Sequence, residues 1–412
     1  MELTIQKKVV LGLQHTIAMF GATVLVPLIT GLNPSVALIA AGVGTLLFHL
    51  VTKQMVPVFL GSSFAFIPPI LIGVERGYSW AGIGAGIIGA SVIYIAMSIV
   101  VTFVGSDIIR RVFPPIVTGP VITVIGITLA PVAISQAEGA WWLAIVTLLA
   151  TIGAAIFFRG LFRMLPILTG AIVGYVAGAL FYDGFSFDAV TEADWLGWPD
   201  FVWGLGDISW APIALIAPIA FVTMIEHVGD ILANGRVVGK DFFKDPGLER
   251  TLLGDGIATL FAGLVGGPPN TTYSENTGVL AVTKVYDPFI IRIGALFAIF
   301  LGLIPKLAAI LRTVPVPVLG GLSVILFGMI ASVGLRTLVE GQVDFKKSRN
   351  MIVVGLILVF GLGVSGLSSP LAIGDVEISG LALAAVIGVV ANLVLPMETE
   401  DEQIAMPADS KS

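Results

Sequence analysis

Cysteine is absent from the 412 residues. Disulfides, thiol catalysis and cysteine-ligated metal sites are excluded with it. Charge is scarce: Asp, Glu, Lys and Arg supply 12% of residues, about half the share of a soluble domain. Many of the acids sit in one loop and in the C-terminal tail, and there is no basic stripe, so nucleic acid is not an expected partner. There are three histidines, and no His, Asp and Glu spacing makes a metal site. No nucleophile–base pair marks an enzyme, and nothing calls for a cofactor. The N-terminal MELTIQKKVV lacks a cleavage site and is too short for a removable signal peptide, so the first apolar run is expected to be retained.

What remains is apolar. Hydrophobic residues make up 57% of the chain, the composition of an all-α polytopic membrane protein in contact with lipid. Its 49 glycines and 23 prolines point to close helix packing and to several broken helices. Charge-free runs mark the spans. Residues 9–52 hold two, cut near 31–34. Further runs follow at 54–74, 77–106, 112–137, 139–158 and 164–182. A hydrated loop at 183–207 precedes 208–234, and a charged segment at 235–250 reads as surface. Then come 251–265, 266–284, 288–311, 314–335, 351–366 and 380–396, with an acidic tail at 398–412 expected to be disordered. The loops on the N-terminal side hold most of the Lys and Arg, while those on the other side hold Arg76, Lys306 and Arg312. That asymmetry predicts about fourteen spans with both termini cytoplasmic.

The run at 266–284, GGPPNTTYSENTGVLAVTK, is interrupted. Gly266, Gly267, Pro268 and Pro269 forbid a continuous helix, and a polar run with Glu275 follows. A carboxylate beside broken backbone at membrane depth marks a functional site. Gly61-Ser62-Ser63-Phe64 is a second such interruption. Glu226 follows Gln14 by 212 residues, Glu275 follows Ser63 by the same offset, and Pro269 so follows Pro57. With an odd number of spans between the halves, this weak repeat has inverted topology, the arrangement of many transporters.

Glu226, Asp230 and Thr223 share one helix face by spacing. Unwound backbone before a half-helix leaves N–H groups free for a substrate carbonyl, with Glu275 to accept a substrate N–H. Ser62 or Ser63 would cap the mirror half-helix, and Phe64 offers a flat face to a planar ligand. Asp255 orients the site or bonds backbone; His49 reads as interfacial, His15 and His227 as deeper. A buried carboxylate favours its protonated form, so Glu226 is the leading proton carrier of a proton-coupled symporter. Sodium coupling by the same carboxylates stays open.

Glu275–Lys284, ENTGVLAVTK, resembles the signature of the nucleobase/ascorbate transporter family (nucleobase:cation symporter-2): Gln or Glu, Asn, any residue, Gly, four residues, Thr, then Lys or Arg. Gln14-His15, GSSFAF, the EHVGD of Glu226–Asp230 and the linking KDFFKDPGLERTLLGDGIATL are similar as well. Within the family the chain is similar to bacterial uracil permeases, whose first signature residue is Glu. Where several of those have His, it has Asp230. The resemblance implies two inverted halves of about seven spans each, with short strands in the broken third and tenth. It implies a core domain (1–106 and 208–311) and a gate domain (107–207 and 312–397). It implies uracil:proton symport into the cell across the inner (cytoplasmic) membrane by a homodimer, with xanthine or a broader set of nucleobases as the alternative substrate and anion exchange as a remoter one. Glu226, Glu275, Phe64, Tyr273, Ser274 and Ser63 would bind the base. Glu226, Asp230 and His227 would handle the proton, supported by Gln14, His15, Asp255, Asn276 and Thr223.

Overall fold

Lipid leaves an apolar chain few ways to satisfy its backbone, and the helix, whose hydrogen bonds are internal, is the main one. The computed structural model describes residues 4–105, 111–158, 165–367, 371–373, 376–377 and 379–396. The expected acidic tail lies outside them. In chain order the main elements are α1 (Ile5–Thr30), α2 (Pro34–Val51), β1 (Leu60–Ser62), α3 (Ile67–Glu75), α4 (Trp80–Val104), α5 (Pro115–Thr128), α6 (Ala130–Glu138), α7 (Trp141–Phe157), α8 (Pro166–Phe181) and the short α9 (Asp188–Glu192). They continue with α10 (Trp210–Ile216), α11 (Ile219–Val238), α12 (Leu248–Val265), β2 (Asn270–Thr272), α13 (Ser274–Thr283), α14 (Pro288–Gly302), α15 (Pro305–Arg312), α16 (Val316–Glu340), α17 (Ser348–Ser365) and α18 (Gly380–Val394).

Seven helical units among the described residues are long and apolar enough to cross a membrane, or eight with the bent pair α14–α15 taken as one. The other apolar helices are shorter, because Gly and Pro interrupt their runs. The 288–311 run is one such case: it breaks after Gly302 and α15 turns away by 78°. The 235–250 segment also differs from its reading as surface. α11 continues to Val238, and Phe242, Phe243 and Leu248 are buried in the core. Charges at one period conceal the aromatics that anchor the turn. The hydrated 183–207 loop is mostly exposed and is tied down near its end, where Val202 and Gly204 donate their N–H groups to Val265 and Leu264 at the end of α12.

The helices pack as two sets. In one, α12 lies against α4 and α2, and α14 lies against α2 and α1. In the other, α16 lies against α5, α6 and α7, α17 against α5 and α18, and α7 against α8. The broken segments belong to the first set. There β1 and β2 pair antiparallel, Leu60 with Thr272, Gly61 with Thr271 and Ser62 with Asn270.

A two-stranded sheet inside lipid has two open edges that must be satisfied by protein. Thr45 of α2 does this for β1: its hydroxyl accepts the Leu60 N–H at 2.9 Å and donates to Ala41 O at 2.7 Å. Thr259 of α12 donates to Asn270 O at 3.1 Å on the β2 side. His49 is fully buried, with Nε2 3.0 Å from Val58 O. It serves the backbone just ahead of β1 instead of the interface expected from its place near a span end. Thr45→Val keeps the shape but strands the Leu60 N–H. An orphaned buried donor costs about 1–3 kcal/mol, so the variant should melt several degrees lower in a thermal-shift assay, with α2 otherwise intact.

Candidate functional site

The site grows from α1. Pro27 has no N–H, so the Thr23 carbonyl one turn earlier has no helical donor. Ser62 of β1 fills the gap, donating its hydroxyl to Thr23 O at 2.9 Å. The Thr23 hydroxyl in turn donates to Tyr273 Oη at 3.3 Å, and Tyr273 donates to Ser62 O at 2.9 Å. One proline thus ties α1 to both strands. Gly61 allows the close approach: a Cβ there would meet the Tyr273 ring and Thr23 Oγ1.

Each strand leads into a half-helix. Ser63 donates its N–H to Pro269 O at 2.8 Å and Tyr273 donates to Phe59 O at 3.0 Å, so the strands cross where the half-helices begin. A turn at Phe64–Phe66 precedes α3, and α13 begins at Ser274. The first N–H groups of α13 lack intrahelical acceptors. Ser274 and Glu275 face open space at this start, while Glu226 and Asp230 of α11 are partly exposed. Asp230 reaches across: Oδ1 accepts from the Ser274 hydroxyl at 2.5 Å and Oδ2 from the Thr272 hydroxyl at 3.0 Å. Glu226 lies one turn earlier and Glu275 one residue beyond Ser274. Three carboxylates therefore converge on the junction of the broken helix, and neither glutamate has a cationic partner among the described residues.

Phe64 is 8% exposed, its ring edge-on to Phe327 of α16 at 6.3 Å between centroids. The base of the opening thus lies where the two helical sets meet. Ser63 is buried and its hydroxyl has no partner among the described residues, and with Ser62 turned to Thr23 O neither serine makes the expected cap. Asn276 donates from Nδ2 to His15 O at 3.0 Å and to His15 Nδ1 at 3.1 Å, locking α13 onto α1. Gln14 is half-buried beside that histidine.

Thr223, grouped with the acids by spacing, and His227, given a proton role by the resemblance, both point elsewhere. Thr223 is buried and bonds its own helix, at Ala220 O (3.3 Å) and Ile219 O (3.4 Å). His227 turns away from the opening toward α12, where Nδ1 lies 3.2 Å from Asp255 Oδ2 with both side chains enclosed. Residues a turn apart share a face, but one step along a helix rotates a side chain by about 100°. Sequence reasoning missed Thr23, Thr45, Thr259 and Asn270, and also Asn234, whose Nδ2 bonds Pro57 O at 3.2 Å and Thr277 Oγ1 at 3.1 Å. Isolated small polar residues in apolar runs are common in membrane helices, and only partner geometry singles these out.

Asp230→Asn tests the cross-link from α11. An amide offers one acceptor where the carboxylate offers two, so Thr272 or Ser274 loses a charged partner worth about 1.5–3 kcal/mol. A lower melting temperature and weaker substrate binding are expected together, read by thermal shift with and without ligand.

Two discontinuous segments meeting beside exposed and half-exposed carboxylates, close to where two helical sets touch, are the arrangement of a membrane transporter. The model of the permease family Xan_ur_permease matches residues 6–368. The chain belongs to the nucleobase/ascorbate transporter family. The uracil permease of Bacillus caldolyticus is 43% identical over 410 residues, covering 95% of this chain and 93% of its own. That of Bacillus subtilis (strain 168) is 42% identical over 411 residues, with the same coverage of 95% and 93%. Among solved structures, the transmembrane domain of the cyanobacterium bicarbonate transporter BicA matches with a TM-score of 0.65 at 13% identity, over 94% of this chain and 97% of that one. The murine anion transporter Slc26a9 in its inward-facing state matches with a TM-score of 0.68 at 12% identity, over 96% of this chain and 68% of that one. These two share the fold.

Proposed function

We propose that this chain carries uracil into the cell with protons, by alternating access across the cytoplasmic membrane. The observation that carries the reading is the exposed Glu275 on the first turn of α13, with Glu226 close by. Uracil presents ring N–H donors and carbonyl acceptors in one plane. Glu226 and Glu275 accept the N–H groups, the free N–H groups at Ser274–Glu275 meet a carbonyl, Phe64 packs on the ring, and Ser63 and Tyr273 line the site. The relatives named uracil permeases support the substrate. Glu226 is the proton carrier in this reading. Asp230 and His227 tune it, with Asp255 orienting His227. Gln14, His15, Asn276 and Thr223 are supporting residues. Anion exchange is disfavoured despite the shared fold, because three carboxylates at the opening repel an anion.

The architecture belongs to the same proposal. With broken and short segments counted, about fourteen spans form two inverted halves. The strand register supports this: Leu60 and Thr272, which pair, are 212 residues apart, the offset that relates Gln14 to Glu226. A two-fold axis through that pair turns the Gly61–Thr271 contact into the Phe59–Tyr273 contact, which also exists. The packing of α4 on α12 is likewise mirrored by that of α14 on α2. The first helical set (1–106, 208–311) acts as the core and the second (107–207, 312–397) as the gate and the homodimer contact. The Lys- and Arg-rich end faces the cytoplasm, which puts both termini there in this reading.

The test is uptake of radiolabelled uracil by proteoliposomes under an inward proton gradient. Concentrative uptake that collapses with a protonophore and resists excess xanthine is expected. Uptake indifferent to the protonophore would remove proton coupling, and equal competition by xanthine would remove the uracil assignment.

A further inference from the structure

All seven tryptophans are exposed, and all lie at one end of the molecule. Trp80 opens α4, Trp141 and Trp142 open α7, Trp210 opens α10, and Trp195, Trp198 and Trp203 lie in the crossover between α8 and α10. Contacts hold these ends together: the Trp80 ring faces Gly31 after α1, and Ser79 donates to Asp207 of the crossover. Tryptophan is usually well buried. Seven exposed indoles at one end place that end in the lipid headgroup layer.

There the crossover meets α15. Lys306 donates its N–H to Asp194 O at 3.0 Å, and Gly197 donates to Leu303 O at 3.1 Å. Between them is a cavity of about 250 Å³ whose lining includes Asn33, Ser35, Trp198, Asp200, Pro305 and Arg312. Asp200 and Arg312 border the same space, yet neither has an ion-pair partner among the described residues. Trp198 is 79% exposed beside them. An anion, a cation and an indole around one cavity suit a ligand bearing both charges. An ammonium group is held by carboxylate and indole face, and a phosphate by guanidinium.

We propose that this cavity seats the headgroup of a zwitterionic phospholipid, its ammonium group against Trp198 and Asp200 and its phosphate against Arg312. An anionic lipid brings no cation for Asp200. A free phosphoammonium compound has the same charges but lacks the acyl chains that hold a lipid at this depth. The site is independent of the nucleobase reading. Because the crossover and α15 are where the chain passes between the two helical sets, the bound headgroup braces both passages.

Native mass spectrometry of the full chain in detergent, with equimolar phosphatidylethanolamine and phosphatidylglycerol, tests it. Preferential retention of phosphatidylethanolamine is expected, weakened about five-fold by Trp198→Ala, as loss of one cation–π contact requires. Arg312→Gln and Asp200→Asn should weaken it similarly, with the melting temperature of the delipidated protein unchanged as the control for folding. Equal retention of the two lipids, or variants that retain phosphatidylethanolamine like the parent, would overturn the proposal. Displacement of the lipid by excess free O-phosphoethanolamine would also overturn it, in favour of a soluble ligand.

Discussion

Glu275→Gln is expected to weaken uracil binding by about ten- to a hundred-fold, the loss of a hydrogen bond to a charged acceptor of about 1.5–3 kcal/mol. Glutamine keeps the length of the side chain, and Glu275 faces open space with no cationic partner, so folding should be little affected. Glu226→Gln should differ in kind. If Glu226 carries the proton, a permanently neutral side chain leaves exchange of labelled for unlabelled uracil but abolishes accumulation driven by a proton gradient. Proteoliposomes separate the two: counterflow reads substrate passage, and gradient-driven uptake reads coupling. Accumulation that survives in Glu226→Gln would sink its role as carrier. Unchanged uracil affinity in Glu275→Gln would remove that residue from the site.

Gly61→Ala is expected to damage the strand crossing severely. The added Cβ would overlap the Tyr273 ring and lie 2.6 Å from Thr23 Oγ1. None of these atoms has room to withdraw, because the Tyr273 hydroxyl bonds Thr23 and Ser62 and the strand pair is held by its register. Overpacking of a closed site costs about 1–3 kcal/mol, and more where nothing can shift. The strands would separate, and with them the alignment of both half-helices. Low recovery of monodisperse protein and loss of uracil binding are expected. Gly153→Ala is the matched control: its Cβ would meet nothing within 4 Å, and alanine favours a helix over glycine by about 1 kcal/mol. A melting temperature for Gly61→Ala within a degree of that control would contradict the packing described for the strand crossing.

The physical origin of these effects explains why some were legible before the structure. Glu275 announced itself because a carboxylate next to Gly-Gly-Pro-Pro is costly in lipid whatever surrounds it. Glu226 did so because it ends a long apolar run. The register of β1 on β2 was not legible as such, although the offset that relates Gln14 to Glu226 is also the separation of its paired residues Leu60 and Thr272. Spacing marks Asp230 only as one of two acids on a helix face. Its bonds to Thr272 and Ser274, which make it the tie between α11 and the broken segment, depend on how two helices dock. Closeness to a span end points His49 to an interface, whereas the carbonyl of Val58 draws it inside.

Composition and local pattern by themselves determined the class of the molecule, the positions where its helices break, and the acids that sit at one break. Those properties follow from transfer energies and backbone chemistry, which act residue by residue. Tertiary structure alone decided which hydroxyls close the strand edges, that His227 faces Asp255 and not the opening, that Phe64 meets Phe327, and that α15 bends away from α14. A buried polar group must find a partner, but the choice of partner depends on which distant segment comes within about 3 Å. Helix docking sets that distance, and no local pattern encodes it.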